Sequence, residues 1–166
     1  MTGRIAGEVA VVTGAGAGMG AAVVERFSCE AARFVAVDIC GIEREVTERV
    51  GSTSVPLHAD VSQAAQVCAM LEFATSRFGA LDILCNSAGI QGLLQETSDY
   101  EEDAYERVMA VNARGVFLGM KYGIRIMLKR GGGTIVNTAS MASGVAFPQI
   151  VAYRASKGAV LMMTRY

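Results

Sequence analysis

Short apolar runs recur along the chain at residues 9–13, 34–37, 55–57, 81–84 and 134–136, and the stretches between them carry apolar residues at helical spacing. Runs of that length that are apolar throughout, rather than alternating, fit strands buried on both faces. Strands separated by helices predict a parallel sheet covered on each side, so the expected class is α/β, a doubly wound sheet. Residues 19–27 predict the first helix. A second, from about Ser62 to Arg77, has Gly79 as its stop. A longer one spans about 102–129, with Val108, Val111, Phe117, Met120, Ile124 and Met127 near helical spacing and Gly131, Gly132 and Gly133 at its end. Its methionines read as core filler rather than ligands. Residues 1–166 show no repeat, linker or low-complexity tract, which predicts a single domain.

Hydrophobic residues make up 52% of the 166 and charged residues 19%, with a formal net charge of -1. That balance argues against disorder and against a nucleic-acid partner. The four cysteines, Cys29, Cys40, Cys68 and Cys85, fit neither a zinc site nor a disulfide framework, so no metal is expected and the thiols read as free ones in a reducing compartment. No basic segment precedes an apolar run at the start of the chain, and no apolar stretch reaches the roughly 18 residues of a membrane span. The expectation is a cytoplasmic protein without a membrane partner.

Thr13-Gly14-Ala15-Gly16-Ala17-Gly18-Met19-Gly20 lies where the first strand enters the first helix. Glycine there permits a sharp turn and lets backbone approach a pyrophosphate, whose charge the helix amides then face. Asp38 closes the second strand about 20 residues further on, where a carboxylate can accept from ribose hydroxyls and repels a ribose phosphate. Ala15, Ala17, Ile39 and Cys40 supply no positive charge, which points to NAD rather than NADP. A structural turn, or an S-adenosylmethionine site, would also use such glycines.

Tyr153 and Lys157 stand four apart and share one face of a predicted helix. A phenol, with an ordinary pKa of about 10, is a poor general base at neutral pH, and correcting that takes roughly 4 kcal/mol. An ammonium about 4 Å away supplies a contribution of that size at an effective dielectric near 20. His58, the only histidine, ends the third strand and reads as structural. A methyltransferase has no use for the Tyr153 and Lys157 pair.

With these motifs in order, the chain resembles the short-chain dehydrogenase/reductase family over essentially its whole length. Thr13-Gly14-x-x-x-Gly18-x-Gly20 is similar to its cofactor turn, with Met19 among the cofactor-binding positions. Asp60-Val61 resembles its adenine contact, Asn86-Ser87-Ala88-Gly89 its Asn-Asn-Ala-Gly segment, and Tyr153-x-x-x-Lys157 its catalytic signature. The resemblance implies a Rossmann-type fold and a catalytic set of Asn112, Ser140, Tyr153 and Lys157. Tyr153 would exchange the proton, Ser140 hold the substrate oxygen, Lys157 lower the tyrosine pKa and bind the nicotinamide ribose, and Asn112 anchor a relay water. Asn86, Ala88 and Gly89, with Gly14, Gly18, Gly20, Asp38, Asp60 and Val61, would bind the cofactor. The implied activity is hydride transfer between NAD(H) and an alcohol or ketone; a non-catalytic nucleotide-binding module is the alternative.

Three positions depart from the family pattern: Ser87 for asparagine, Arg154 after the tyrosine, and Ala31 where relatives carry glycine. A left-handed Ala31 would cost roughly 1 to 2 kcal/mol. The chain also stops at Tyr166, whereas the resemblance implies two further strands, a substrate lid and a homodimer or tetramer. On that expectation the fifth strand is an exposed sheet edge. Substrate would be lined by residues 92–97 and 142–151, beyond the carboxyl ends of the fourth and fifth strands.

Overall fold

Val11, Val35 and Val37 turn to one side of the sheet and Ala10, Val12, Phe34 and Ala36 to the other, all of them fully buried. That period of two, apolar on both faces, requires cover on both. The computed structural model describes residues 3–51 and 54–165. Its strands are β1 (Val9–Thr13), β2 (Arg33–Asp38), β3 (Ser54–His58), β4 (Ile83–Asn86) and β5 (Thr134–Asn137). They form one parallel sheet in the order β3-β2-β1-β4-β5, with β5 at an edge. One face packs on α3 (Ala64–Phe78) and α5 (Gly115–Leu128) through Val67, Leu71, Leu118 and Met127. The other packs on α1 (Gly18–Cys29) and α2 (Glu43–Val50) through Val24 and Val46. The doubly wound Rossmann-type sheet is therefore present, and its order reverses between β1 and β4, where such folds open a crevice.

β4 begins two residues later than the apolar run suggests. Just before the strand the Asp82 carboxylate accepts the Val9 N–H at 2.9 Å, and Leu81 is fully buried in the core. Ala31 adopts φ +59, the left-handed conformation expected from its position between α1 and β2.

The long helix is not uniform. α4 (Glu102–Met109) passes through a π-helical turn, Ala110–Arg114, into α5. One extra residue in a turn rotates the following face by about 100°. Val116, Leu118 and Met127 consequently point inward, while Phe117 and Ile124, which the uninterrupted spacing places in the core, are 50% and 40% exposed. α6 (Val151–Thr164) packs against α4 and the π-helical turn. No helix among the described residues is long and apolar enough to cross a membrane.

Candidate active site

The crevice between β1 and β4 opens into a cleft of about 640 Å³. Gly14 and Gly20 shape its floor. A Cβ on Gly14, which has φ +71, would lie 2.8 Å from the Ala88 backbone, and one on Gly20 would meet the Gly14 carbonyl oxygen at 2.0 Å. The turn thus presents bare backbone to the cleft, the form a pyrophosphate cradle takes. Thr13, buried behind the turn, ties β1 to β4: its Oγ1 accepts the N–H groups of Ser87 and Ala88 at 3.1 and 3.2 Å.

Gly18, Met19, Asp38, Asp60, Val61, Ala88 and Gly89 all line this cleft with Gly14 and Gly20. Asp38 accepts from Gly16 N–H at 2.8 Å through one oxygen, and from Ile39 and Cys40 N–H at 2.7 and 3.1 Å through the other. Burial pushes its pKa up, but the hydrogen bonds, led by that from Gly16, outweigh burial and hold the carboxyl below the usual aspartate value. Asp60 turns the chain into α3 by accepting Ser62 N–H at 2.8 Å. Ser62, Ile90 and Arg107 also line the cleft and were not singled out by the sequence motifs. Arg107 lies one helical turn before Ala110 and Val111, and that shared stripe was the available signal.

Asn86 does not reach the cleft. It is 3% exposed, and its Nδ2 donates to Asn137 Oδ1 at 2.8 Å, linking β4 to β5. As the last residue of a two-sided strand, its side chain turns toward the sheet interior while the neighbouring Ser87 turns outward.

A second cleft of about 400 Å³ joins the first, and Met19, Ser87, Gly89 and Ile90 line both. Ser140, Tyr153 and Lys157 meet there. Ser140 follows β5 and caps a short 3-10 turn, accepting Ala142 N–H at 3.1 Å. Lys157 is 4% exposed; its Nζ donates to the Thr138 carbonyl at 2.6 Å and stands 5.8 Å from the Tyr153 ring centroid. Burial pushes the Lys157 pKa below the ordinary lysine value.

Asn112 lies in the π-helical turn and is fully buried. Its Oδ1 accepts Ile90 N–H at 2.8 Å, while Nδ2 donates to the Ile90 carbonyl at 2.8 Å and to Ser156 Oγ at 3.0 Å. Its side chain therefore fastens three segments rather than facing the cleft. Ser156, unmarked in the sequence, is the buried partner, and its Oγ donates to the Tyr153 carbonyl at 2.8 Å. From the loop after β4, Ile90 and Gln91 line the second cleft in place of residues 92–97. Tyr100 Oη accepts Leu93 N–H at 3.1 Å and holds the chain after Gly92. Met141, Ala142, Phe147 and Ile150 supply the opposite wall.

The short chain dehydrogenase family model matches residues 8–166. The chain belongs to the short-chain dehydrogenase family. The chain is 41% identical over 166 residues to 2-(R)-hydroxypropyl-CoM dehydrogenase of Xanthobacter autotrophicus, with 95% of this chain and 66% of the relative covered. It superposes on the crystal structure of levodione reductase with a TM-score of 0.94 at 33% identity, covering 98% of this chain and 65% of that one. A 3-ketoacyl-(acyl-carrier-protein) reductase from Brucella melitensis, complexed with NADH, gives a TM-score of 0.93 at 35% identity, over 98% and 69% of the two chains. The chain thus spans about two thirds of the length of these relatives.

Proposed function

We propose that this chain carries the catalytic half of an oxidoreductase that moves a hydride between NAD(H) and the carbon of an alcohol or ketone, with Tyr153 as general acid and base. The observation that carries the reading is the meeting of Ser140, Tyr153 and Lys157 in the second cleft, which adjoins the first through Met19, Ser87, Gly89 and Ile90. A nicotinamide dinucleotide fits the first cleft: the bare backbone at Gly14 and Gly20 suits a pyrophosphate, and the Asp38 carboxylate suits ribose hydroxyls. Bound there, the cofactor supplies or accepts the hydride. Asp38, kept ionised at neutral pH, favours NAD over NADP by repelling a ribose phosphate.

The chain's own residues do the rest. The Ser140 hydroxyl donates to the substrate oxygen, and Tyr153 gives that oxygen a proton or takes one from it. Lys157, fixed on the Thr138 carbonyl, sets the positive charge behind the phenol and offers its ammonium to the nicotinamide ribose. Asn112 positions the helix that carries both. NADH oxidation by the purified chain with simple ketones tests the reading. Tyr153→Phe is expected to lower kcat by about 10²- to 10⁴-fold while NADH affinity holds. NADH binding by the unaltered chain without reduction of any ketone would leave a nucleotide-binding module in place of an enzyme.

A further inference from the structure

The geometry points to an uncharged, apolar ketone or secondary alcohol as the occupant of the second cleft, with Phe147 and Ile150 excluding anionic substrates. This inference rests on the oxidoreductase reading and adds the substrate class. Five large apolar side chains line the wall: Met19, Ile90, Met141, Phe147 and Ile150. Met141 is 78% and Phe147 39% exposed, so this apolar surface faces the cleft rather than the core. Between Ala139 and Ala152 no residue is charged, and between Ser87 and Thr97 only Glu96 is. The polar wall groups Ser87, Gln91 and Thr138 are neutral. Lys157 is the one cation lining this cleft among the described residues; it is buried, with Nζ donating to the Thr138 carbonyl and, on the reading above, to the nicotinamide ribose. A carboxylate or phosphate on a substrate would therefore lose water and meet only neutral donors in return. An apolar ring or chain gains about fourfold in affinity for each methylene it buries.

The wall is also pinned. Gln95 N–H donates to the Gln149 carbonyl at 2.9 Å, Gln149 Nε2 donates to Glu96 Oε1 at 3.0 Å, and Gln95 bridges Ile150. Gln149 takes φ +63, a conformation that disfavours side chains, directly before Ile150. Backbone strain retained between two cross-linked loops, beside a cleft, fits a wall whose shape selects what enters.

The test compares 4-methylcyclohexanone with 4-oxopentanoate, a ketone that carries a carboxylate, on the full chain with NADH. The neutral ketone is expected to have a kcat/KM about 100-fold higher. Ile150→Arg is expected to narrow that ratio at least tenfold by improving the anion, and Phe147→Arg serves the same end if the first variant unfolds on heating earlier than the parent. Equal or better use of 4-oxopentanoate by the parent, or an unchanged ratio in a folded variant, overturns the inference. Saturation-transfer NMR reads binding without turnover. Selective binding of the neutral ketone by a chain that reduces neither would sink the oxidoreductase reading and leave this one standing, whereas equal binding of both would sink this one.

Discussion

Asn112 Nδ2 donates to Ser156 Oγ at 3.0 Å, which fastens the π-helical turn to the helix carrying Tyr153 and Lys157. Both side chains are fully buried, and the same Asn112 amide holds Ile90 at the junction of the two clefts. A single side chain thus sets the distance between a cleft wall and the catalytic helix.

Asn112→Ala removes a partner of the buried Ser156 hydroxyl and of the part-buried Ile90 N–H and carbonyl, and a buried polar group left without a partner costs about 1 to 3 kcal/mol. Urea unfolding is expected to show a loss of that order, with Ser156→Ala costing less. A double-mutant cycle should return a coupling of about 0.5 to 1.5 kcal/mol between the two. Strictly additive losses would mean the contact does not fasten the turn.

Ala31→Gly is expected to stabilise the chain. Ala31 sits at φ +59, where a side chain costs about 1 to 2 kcal/mol, and glycine's extra freedom in the unfolded chain returns part of that. A net gain of roughly 0.5 to 1 kcal/mol should appear as a higher urea midpoint.

Asp38 and Lys157 act on stability at opposite ends of the pH scale. Asp38 has a lowered pKa in the fold, so its contribution is complete above the unfolded value of about 3.9 and is lost as pH falls through the folded one. Lys157 also has a lowered pKa, but as a base. Between its folded value and about 10.4 the unfolded chain binds more protons, so stability rises with pH across that window as the cost of burying the ammonium disappears. The difference in unfolding free energy between the parent and Lys157→Met, followed from neutral to alkaline pH, is expected to move in the parent's favour. The same difference for Asp38→Asn should shrink as pH falls below about 4.

Asp38 also governs the cofactor preference proposed above. Replacing it with serine and Ile39 with arginine removes the repelling charge and adds one that pairs with a ribose phosphate. The ratio of kcat/KM for NADPH over NADH is expected to rise at least about tenfold, equivalent to ~1.4 kcal/mol. Because Asp38 Oδ2 also accepts Gly16 N–H, the variant should lose some NADH affinity as the turn loosens.

Much of the fold was legible because the signals are local. All five apolar runs became strands, and the run at 9–13 became β1 without change. The shift of β4 was not legible, since Asp82, whose side chain accepts Val9 N–H just before the strand, meets that partner 73 positions away. The helix over 102–129 hid its π-helical turn because spacing alone carries no mark for one added residue. Phe117 and Ile124 were misplaced for that reason. In the site, Gly14, Asp38, Ser140, Tyr153 and Lys157 stand along the two joined clefts, whereas Asn86 turns inward to Asn137 and the first loop contributes Ile90 and Gln91 instead of residues 92–97.

Sequence alone determined the order of strands, turns and helices and the one-turn spacing of Tyr153 and Lys157, because backbone periodicity and glycine geometry act over a few neighbouring residues. Tertiary structure decided which polar side chains face the clefts and which tie the sheet together. Asn86 meets Asn137 across 51 positions, Asn112 meets Ser156 across 44, and only packing brings such distant partners within hydrogen-bond reach.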